Sequence, residues 1–285
     1  MRFAVVAQRA TGTNARLAEA AARLGCSAAV LSPRDALRGL EPGDVALGRL
    51  DVRSTVDGME AGEDDLDRLA GAGITVLNPA FTLAAAHDKL LTARVLRRAG
   101  VPHPRTWHVS EGRPSPAPEL PVVLKPRFGS WGRDVVRCDT PEELAAAAAG
   151  LAARPWFAEH GVLAQELVEP RGWDLRVLVA AGRVVGSARR VAAAGEWRTN
   201  VALGARIEPA KAPPVARSLA LAAAAAVRGD FVGVDLLPVG SGYVVLEVNA
   251  AVDVRPLYSP ADVYGIVVGE LLEAARAPVT RTASA

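Results

Sequence analysis

The first part of the chain alternates between short apolar runs and apolar positions at helical spacing. Residues 3–7 and 26–31 are apolar runs typical of strands. Between them, cap-type residues at 11–14 precede a helical pattern that Gly25 ends. The apolar positions of this pattern are Leu17, Ala20, Ala21 and Leu24. With two further strands at 45–47 and 74–77, this opening predicts a small α/β domain over residues 1–78.

The pattern then changes. The stretch "NPAFTLAAAHDKLLTARVLRRAGVPHPRT" predicts one helix, which Gly100 and Pro102 end. The proline-rich stretch "SEGRPSPAPELP" predicts a loop. In "PVVLKPRFGSWGRDVVRC", two apolar runs flank a glycine-containing loop, which predicts a hairpin whose connection is longer than a tight turn. A helix should follow, because Thr140, Pro141 and Glu143 have the capping-box pattern. These elements indicate a central α+β unit over residues 79–163.

The last part of the chain predicts a second α+β unit over residues 164–275. Its strands should lie in "VLAQELV", "DLRVLVAAGRVVGSARRV" and "FVGVDLLPVGSGYVVLEVN", with helices at 218–227 and at about 265–275. The tail over residues 276–285 ends in "APVTRTASA", which has no apolar face, so we expect it to be disordered.

Composition excludes several classes of protein. Half of the 285 residues are hydrophobic, but no run has the length of a membrane span and the N-terminal apolar run is too short for a secretory signal. We therefore expect a cytoplasmic protein that does not bind a membrane. The net charge of +2 forms no basic stripe, so no nucleic-acid partner is expected. Cys26 and Cys138 have no zinc or disulfide spacing and are expected to be small core residues.

Lysine is rare in this chain. Of 33 basic residues, 30 are arginine, and the three lysines are Lys89, Lys125 and Lys211. A host preference for arginine on surfaces explains most of this bias. A lysine retained in such a chain indicates a position where a compact ammonium group fits and a planar guanidinium does not, such as a phosphate-binding site. Lys125 stands at the end of a predicted strand, directly before the glycine loop.

The strongest candidate site lies near the C-terminus. Glu247 and Asn249 are two residues apart on a predicted strand and so share a face, and the preceding hairpin can bring Asp235 opposite them. Two carboxylates and an amide suit Mg²⁺ or Mn²⁺ that bridges phosphates. The alternative is that the acids are solvent-facing strand residues, although each lies within a valine- and leucine-rich run where burial of an unpaired charge is costly.

The loop from Gly129 through Ser130 and Trp131 to Gly132 could close over phosphates with its backbone N–H groups. Its glycines would allow close approach to the ligand. An ordinary exposed hairpin tip is the alternative for the loop taken alone.

Six stretches together resemble a known family. They are "HDKLLTARVLRRAGVPHP", "VVLKPRFGSWGRDVV", "QELVEPRGWDLRVLV", "EWRTNVALG", "GVDLL" and "LEVNA". In their order and spacing they are similar to the ATP-grasp superfamily, and within it to the RimK-type carboxylate–amine ligases. The resemblance covers about residues 1–275. It implies an N-terminal α/β domain and two α+β subdomains that clasp ATP, the central one carrying a glycine-rich lid and the C-terminal one a metal site.

The resemblance also implies roles for individual residues. Lys89 and Lys125 match the lysines on the ATP phosphates, and residues 129–132 match the mobile lid. Glu166, Leu167 and Val168, preceded by Gln165, match the hinge that takes the adenine, and Asp174 matches a ribose-side contact. Arg198, Thr199 and Asn200 form one segment. Its first and last residues, Arg198 and Asn200, match the pair that reaches the phosphates and metal. Asp235, Glu247 and Asn249 match the ligands of two Mg²⁺ ions, with Glu247 bridging. Arg176 and Arg190 are similar to arginines on the acceptor side of the cleft; otherwise they are surface arginines.

The implied activity is an ATP-dependent ligation of a carboxylate to an amine through an acyl phosphate. Arg198, Arg190 and Arg176 are the candidate catalytic residues. A phosphotransferase or a non-catalytic ATP-binding module are the alternatives. After Asn249 the chain departs from the family's small, glycine- or serine-rich turn, having Ala250, Ala251, Val252 and Asp253. The identities of the two substrates therefore stay open, with small molecules, a peptide and a carrier protein as the alternatives. Single or repeated ligation, the pathway and a homo-oligomeric state also stay open.

Overall fold

The computed structural model describes residues 1–110, 113–114, 118–259 and 261–277. These residues form three sheets. The first is parallel, with strand order β2-β1-β3-β4. Its strands are β1 (Arg2–Val6), β2 (Ser27–Leu31), β3 (Val45–Gly48) and β4 (Thr75–Leu77), and its helices are α1 (Gly12–Arg23), α2 (Pro33–Gly39) and α3 (Glu63–Gly71).

The predicted opening of this domain is confirmed. Thr11 caps α1 by accepting a hydrogen bond from the N–H of Asn14, and Gly25 after the helix has a φ of 85°. The sequence patterns did not predict α2 and α3. The former has only seven residues, and the latter starts without a side-chain cap.

Helices α4 (Ala80–His87) and α5 (Lys89–Arg98) occupy the stretch predicted as one helix. Asp88 separates them in an extended conformation, and its carboxylate accepts from the N–H groups of Leu90 and Leu91. This N-cap starts a second helix, so the single-helix prediction is wrong at this point. The break places Lys89 in the first turn of α5.

The central sheet has the order β6-β5-β9-β7-β8 and is antiparallel. Its elements are β5 (Thr106–Ser110), β6 (Arg113–Pro114), β7 (Val122–Pro126), β8 (Val136–Cys138), β9 (Val162–Glu166), α6 (Pro141–Ala152) and α7 (Phe157–His160). The predicted hairpin is confirmed as β7 and β8, and the predicted capping box of α6 is present. The proline-rich stretch is not a loop throughout, because β6 pairs with β5; residues 111–112 and 115–117 lie outside the described ranges.

The third sheet is antiparallel with the order β12-β11-β10-β13-β14. Its elements are β10 (Trp173–Ala180), β11 (Arg183–Val191), β12 (Arg206–Pro209), α8 (Pro214–Ala226), β13 (Phe231–Val239), β14 (Gly242–Asn249) and α9 (Val263–Arg276). Single 3-10 turns lie at Val201–Leu203 and Pro256–Tyr258. Helix α9 includes Arg276, the first residue of the tail predicted to be disordered; the tail from 278 onward lies outside the described residues.

The apolar core joins the first and third sheets. Two buried clusters each combine strands of both sheets, and one of them also takes in Leu83 of α4 and Leu96 of α5. A third, smaller cluster belongs to the central sheet. The predicted boundary at residue 163 falls inside β9, which lies between β5 and β7 of the central sheet. The central sheet therefore has its own core, which also includes Val56 from the segment between β3 and α3.

The cysteines and the helices bear on two expectations from composition. Cys26 and Cys138 are free and buried, as expected for small core residues. Within the described ranges, no helix has the length and apolar character of a membrane-spanning segment.

Candidate active site

The three sheets meet at one cleft with a volume of about 380 Å³. This size is within the usual range of small-molecule sites. Nearly all predicted site residues line it. They are Lys89, Lys125, Gly129, Ser130, Trp131, Gly132, Gln165, Glu166, Leu167, Val168, Arg176, Arg190, Arg198, Thr199, Asn200, Glu247 and Asn249. The two exceptions are Asp174 and Asp235, which are fully buried behind the cleft wall.

The two lysines reach the cleft from different elements. Lys89 starts α5, and its Nζ donates to the carbonyl oxygen of Gly129 at 2.5 Å. Lys125 lies on β7 with only 6% of its surface exposed, and its Nζ donates to Oε1 of Gln165 at 2.6 Å. Burial, with a further contribution from the charge of Lys89, lowers the pKa of Lys125 to about 7. The region between the two ammonium groups therefore favours an anion that restores the charge of Lys125.

Asp88 and Arg127 hold Lys89 in position. Nε and Nη2 of Arg127 donate to the two carboxylate oxygens of Asp88 at 2.7 and 2.5 Å. The N–H of Lys89 also donates to the carbonyl oxygen of Arg127. The start of α5 is thereby tied to the residue that follows β7. The sequence analysis missed this pair, although an Asp directly before a helical run is an N-cap signal.

A buried charge network lies behind the cleft, on β10, β11 and β13. Arg176 donates two hydrogen bonds to Asp235, at 2.6 and 2.7 Å, and Arg190 donates to Asp235 at 2.8 Å and to both oxygens of Asp174. The hydroxyl of Thr199 donates to Asp174 at 2.6 Å. Burial opposes the ionisation of Asp235, but the two guanidinium groups outweigh it and hold its pKa below the usual range.

This network changes the interpretation of two predicted residues. The carboxylate of Asp174 is fully buried and bonded to Arg190 and Thr199, so the structure does not place it as a ribose contact on the cleft wall. Its observed partners make it a support for the neighbouring segment. Both oxygens of Asp235 accept hydrogen bonds from arginines, so its role as a metal ligand stays a prediction.

Glu247 and Asn249 face the cleft from β14. Asp235 is the cross-strand partner of Glu247, as the predicted hairpin requires. Nδ2 of Asn249 lies 3.4 Å from oxygens of both acids, and Lys89 lies 3.7 Å from Glu247. Across the described part of the chain, no three His, Cys, Asp or Glu side chains form a group that could hold a metal. The available donors are instead a carboxylate and an amide oxygen, which fit a hard cation that completes its coordination with water or phosphate.

The segment of Arg198 connects the cleft wall to the glycine loop. Arg198 pairs with Glu196 at 2.8 Å and donates to the carbonyl oxygen of Gly132 at 2.9 Å. The hydrogen bond from Arg198 lowers the pKa of Glu196 to about 2. The loop therefore rests on a guanidinium that an ionised Glu196 holds in place.

Sequence and structure comparisons agree with this site. A family model described as "RimK-like ATP-grasp domain" matches residues 86–263. The chain belongs to this family. A protein of Methanococcoides burtonii named "Probable alpha-L-glutamate ligase" is 28% identical over 253 residues, covering 85% of this chain and 81% of that protein. The expected family and the class of ATP-grasp ligases are thus confirmed.

Solved structures confirm the expected fold. D-alanine–D-alanine ligase of Bacillus anthracis aligns with a TM-score of 0.71 at 15% identity, covering 96% of this chain and 97% of that one. The ATP-grasp ligase PsnB, solved with a precursor peptide and AMPPNP, aligns with a TM-score of 0.68 at 20% identity, covering 96% of this chain and 98% of that one. At these identities the similarity concerns the ATP-grasp fold alone.

In this RimK-like chain the end of β9 lies at the predicted hinge. The N–H of Glu166 donates to the carbonyl oxygen of Arg105, and the N–H of Leu167 donates to that of Pro121. The Glu166 side chain pairs with Arg105 at 3.3 Å.

Arg49 is a site residue that the sequence analysis missed. It is only 3% exposed and donates to Oδ1 of Asn14 at 2.6 Å and to the carbonyl oxygen of Val252 at 2.8 Å. Burial lowers the pKa of Arg49 to about 10, although the negative charges of Asp253 and Asp51 act to raise it. Arg49 thus ties the first sheet to the turn after Asn249, where this chain departs from the family pattern. An arginine directly after a buried apolar strand was the available signal.

Gly132 shows that the glycine loop is more than an exposed tip. Trp131 is 42% exposed, but Gly132 is buried with a φ of 72°. A Cβ at Gly132 would lie 2.8 Å from Oδ1 of Asn200 and 2.9 Å from Cδ1 of Leu203. Gly129 has no positive φ, and its Cβ would contact Pro126 and Val56. The loop is packed onto the residues around Asn200, and only Gly132 needs the glycine conformation.

Gly132→Ala is therefore expected to destabilise the protein by about 1–3 kcal/mol, through both backbone strain and the contact with Asn200. It should also lower turnover and raise the ratio of phosphate released to amide formed, because a displaced loop admits water. Thermal unfolding and paired phosphate and amide assays check this. The matched control is Gly150→Ala, an exposed position inside α6 where a Cβ meets nothing within 4 Å. An unchanged melting temperature and ratio in Gly132→Ala would contradict the packing argument.

Proposed function

We propose that this protein is an ATP-dependent carboxylate–amine ligase that forms an amide bond through an acyl phosphate and releases ADP and phosphate. The observation that carries the proposal is the meeting of two lysines, a packed glycine loop and the Glu247–Asn249 pair in one cleft. The names of the relatives support amino acids or peptide-like molecules as substrates.

The nucleotide would lie between the central and third sheets. Lys89 and Lys125 bind its phosphates as point charges, and the loop 129–132 covers them. The base would reach the end of β9 near Val168. Arg198 holds the loop closed through its bond to Gly132 and keeps water from the reacting groups.

Glu247 and Asn249 would hold Mg²⁺, with Mn²⁺ suited to the same oxygens. A second ion would use Glu247 as well, with Asp235 as a further ligand. The bound metal would neutralise phosphate charge and so make the γ-phosphorus more electrophilic.

In the proposed reaction a substrate carboxylate oxygen attacks the γ-phosphorus of ATP, and the bond to the β–γ bridging oxygen breaks to release ADP. The amine nitrogen then attacks the acyl carbon, phosphate leaves, and the nitrogen loses a proton. The protein supplies positioning and positive charge. Arg176 and Arg190 are held at the cleft wall by Asp235, so their charge is available without reorganisation when oxyanions form.

Binding of Mg·ADP is expected to take up close to one proton at pH 8. Lys125 has a pKa of about 7 in the empty cleft, so it is mostly neutral there, and phosphate oxygens raise that pKa by stabilising the ammonium form. Affinity should be constant below pH 7 and fall by up to about tenfold per pH unit above it. Calorimetry in buffers of different ionisation enthalpy measures the uptake.

The control for this prediction is Lys211, an exposed lysine outside the cleft. Lys125→Met should abolish both the proton uptake and the pH dependence, and Lys211→Met should leave them unchanged. An affinity for Mg·ADP that is the same at pH 7 and pH 9 in the unmodified protein would contradict the assignment of Lys125.

Phosphate release from ATP, screened with amino acids singly and in pairs, tests the function. A ligase releases phosphate only when a carboxylate and an amine substrate are both present. A phosphotransferase forms ADP without free phosphate, and a non-catalytic binding module forms neither. Either of these two results across the screen would overturn the proposal.

A further inference from the structure

A short hairpin from the first domain reaches across the cleft. Residues 52–59, which we call the strap, lie between β3 and α3. Val52 and Met59 form an isolated antiparallel bridge, and the N–H of Arg53 donates to the carbonyl oxygen of Gly58 at 2.9 Å. The strap is thus an ordered hairpin, and its tip lies away from its own sheet.

The tip of the strap is part of the core of the central subdomain. Val56 is only 8% exposed and belongs to the same buried cluster as Val122 and Leu124. Its φ of 65° is unusual for a β-branched residue. Burial of its side chain in the core of another subdomain provides the stabilisation that this conformation requires.

Two polar contacts attach the strap to residues of the central subdomain. Nε2 of His160, at the end of α7, lies 2.9 Å from the carbonyl oxygen of Asp57. Nη1 of Arg133, directly after the glycine loop, donates to the carbonyl oxygen of Ser54 at 3.3 Å. The strap therefore joins the central subdomain on one side and the loop on the other.

The strap covers part of the cleft. Val52 and Ser54 line the cleft, together with Trp131 and Arg133 of the glycine-loop region and Asp253 of the turn after β14. A substrate bound beside these residues would lie under the strap and the loop.

We infer that the strap restricts this ligase to carboxylates and amines that are free small molecules of amino-acid size, and excludes a carboxylate at the end of a peptide or protein chain. This inference rests on the proposed ligase function. The contact between Ser54 and Arg133 joins the strap to the loop beside the cleft, so a chain that continues past a bound carboxylate would meet this cover. PsnB has the same fold and was solved with a precursor peptide, so the fold alone does not impose the restriction.

The test compares two substrate sets with ATP and Mg²⁺: a mixture of free amino acids, and the same mixture with decapeptides that end in each amino acid. Amide products are measured by mass spectrometry, with peptides blocked at the N-terminus and extended at the C-terminus as the diagnostic species. The unmodified protein should couple free amino acids at least about tenfold faster than peptide termini.

Variants of the strap then test whether the strap causes this preference for free amino acids. Val56→Ala and His160→Ala loosen it without altering a residue of the cleft wall, and each should raise the rate on peptide termini relative to free amino acids. Val109→Ala is the matched control, because Val109 lies in the same buried cluster but on β5. Val109→Ala should lower the melting temperature by a similar amount. It should leave the ratio of the rate on peptide termini to the rate on free amino acids unchanged. Hydrogen exchange should be faster over residues 52–59 in the strap variants only.

The outcomes separate the two proposals. Coupling of peptide termini by the unmodified protein at the rate of free amino acids overturns the role of the strap and leaves the ligase function standing. A substrate ratio that stays the same in both strap variants, despite faster exchange over 52–59, also overturns it. Absence of amide and of phosphate release with every substrate overturns the ligase function and this inference with it.

Discussion

Glu247→Gln is expected to lower the rate of amide formation by at least about 100-fold, since electrostatic stabilisation of this kind contributes several kcal/mol to catalysis. The substitution keeps the shape of the side chain and removes the charge that would hold the cation. The side chain is 22% exposed at the cleft and pairs only at 3.7 Å with Lys89, so its neutralisation should change stability little. The Mg²⁺ concentration required for tight ADP binding should rise in parallel.

Glu208→Gln is the control for this result. Glu208 lies on β12 of the same sheet, with 44% of its side chain exposed and Arg206 at 3.5 Å. It should retain full activity. Near-normal amide formation by a folded Glu247→Gln protein, with an unchanged Mg²⁺ requirement, would rule out the metal assignment.

Asp235→Asn is expected to destabilise the protein by about 3–5 kcal/mol, the usual cost of removing one partner of a buried ion pair. Arg176 would lose its carboxylate partner, and Arg190 would keep only the carboxylate of Asp174. Chemical denaturation measures the free energy of unfolding. Turnover should also fall, because the two arginines lose the anchor that fixes them at the cleft wall.

Asp139→Asn gives the comparison for a surface pair. Asp139 pairs with Arg137 at 2.9 Å, but 46% of its side chain is exposed, so its loss should cost at most about 1 kcal/mol. A similar, small destabilisation in both variants would show that the buried network contributes no more than a surface ion pair.

The candidate site was predictable where residues act through local spacing. Glu247 and Asn249 share a face because side chains alternate along a strand, and the hairpin that precedes them sets Asp235 opposite. Lys125 was found because lysine is rare in this chain and this one ends a strand before a glycine loop. The resemblance to the ATP-grasp family extended these local signals to the hinge and to the segment of Arg198.

Side-chain partners from distant parts of the chain were not predictable in the same way. Asp174 was expected at the ribose, but the pairing of β10 with β11 places it against Arg190, where it is buried. Asp88 also accepts a hydrogen bond from Arg127, a residue 39 positions later. Each of these contacts exists only once separate strands and helices have packed.

The sequence by itself determined the α/β opening, the hairpin at the glycine loop and the shared face of Glu247 and Asn249. These features follow from periodicity and from caps and turns, which act between residues close in the chain. The tertiary structure alone decided that Asp235 lies between two arginines, that Gly132 packs on Asn200, and that Val56 of the first domain enters the core of the central one. Those outcomes depend on burial and charge pairing between residues far apart in sequence, and the free energy of such contacts is set only when the sheets come together.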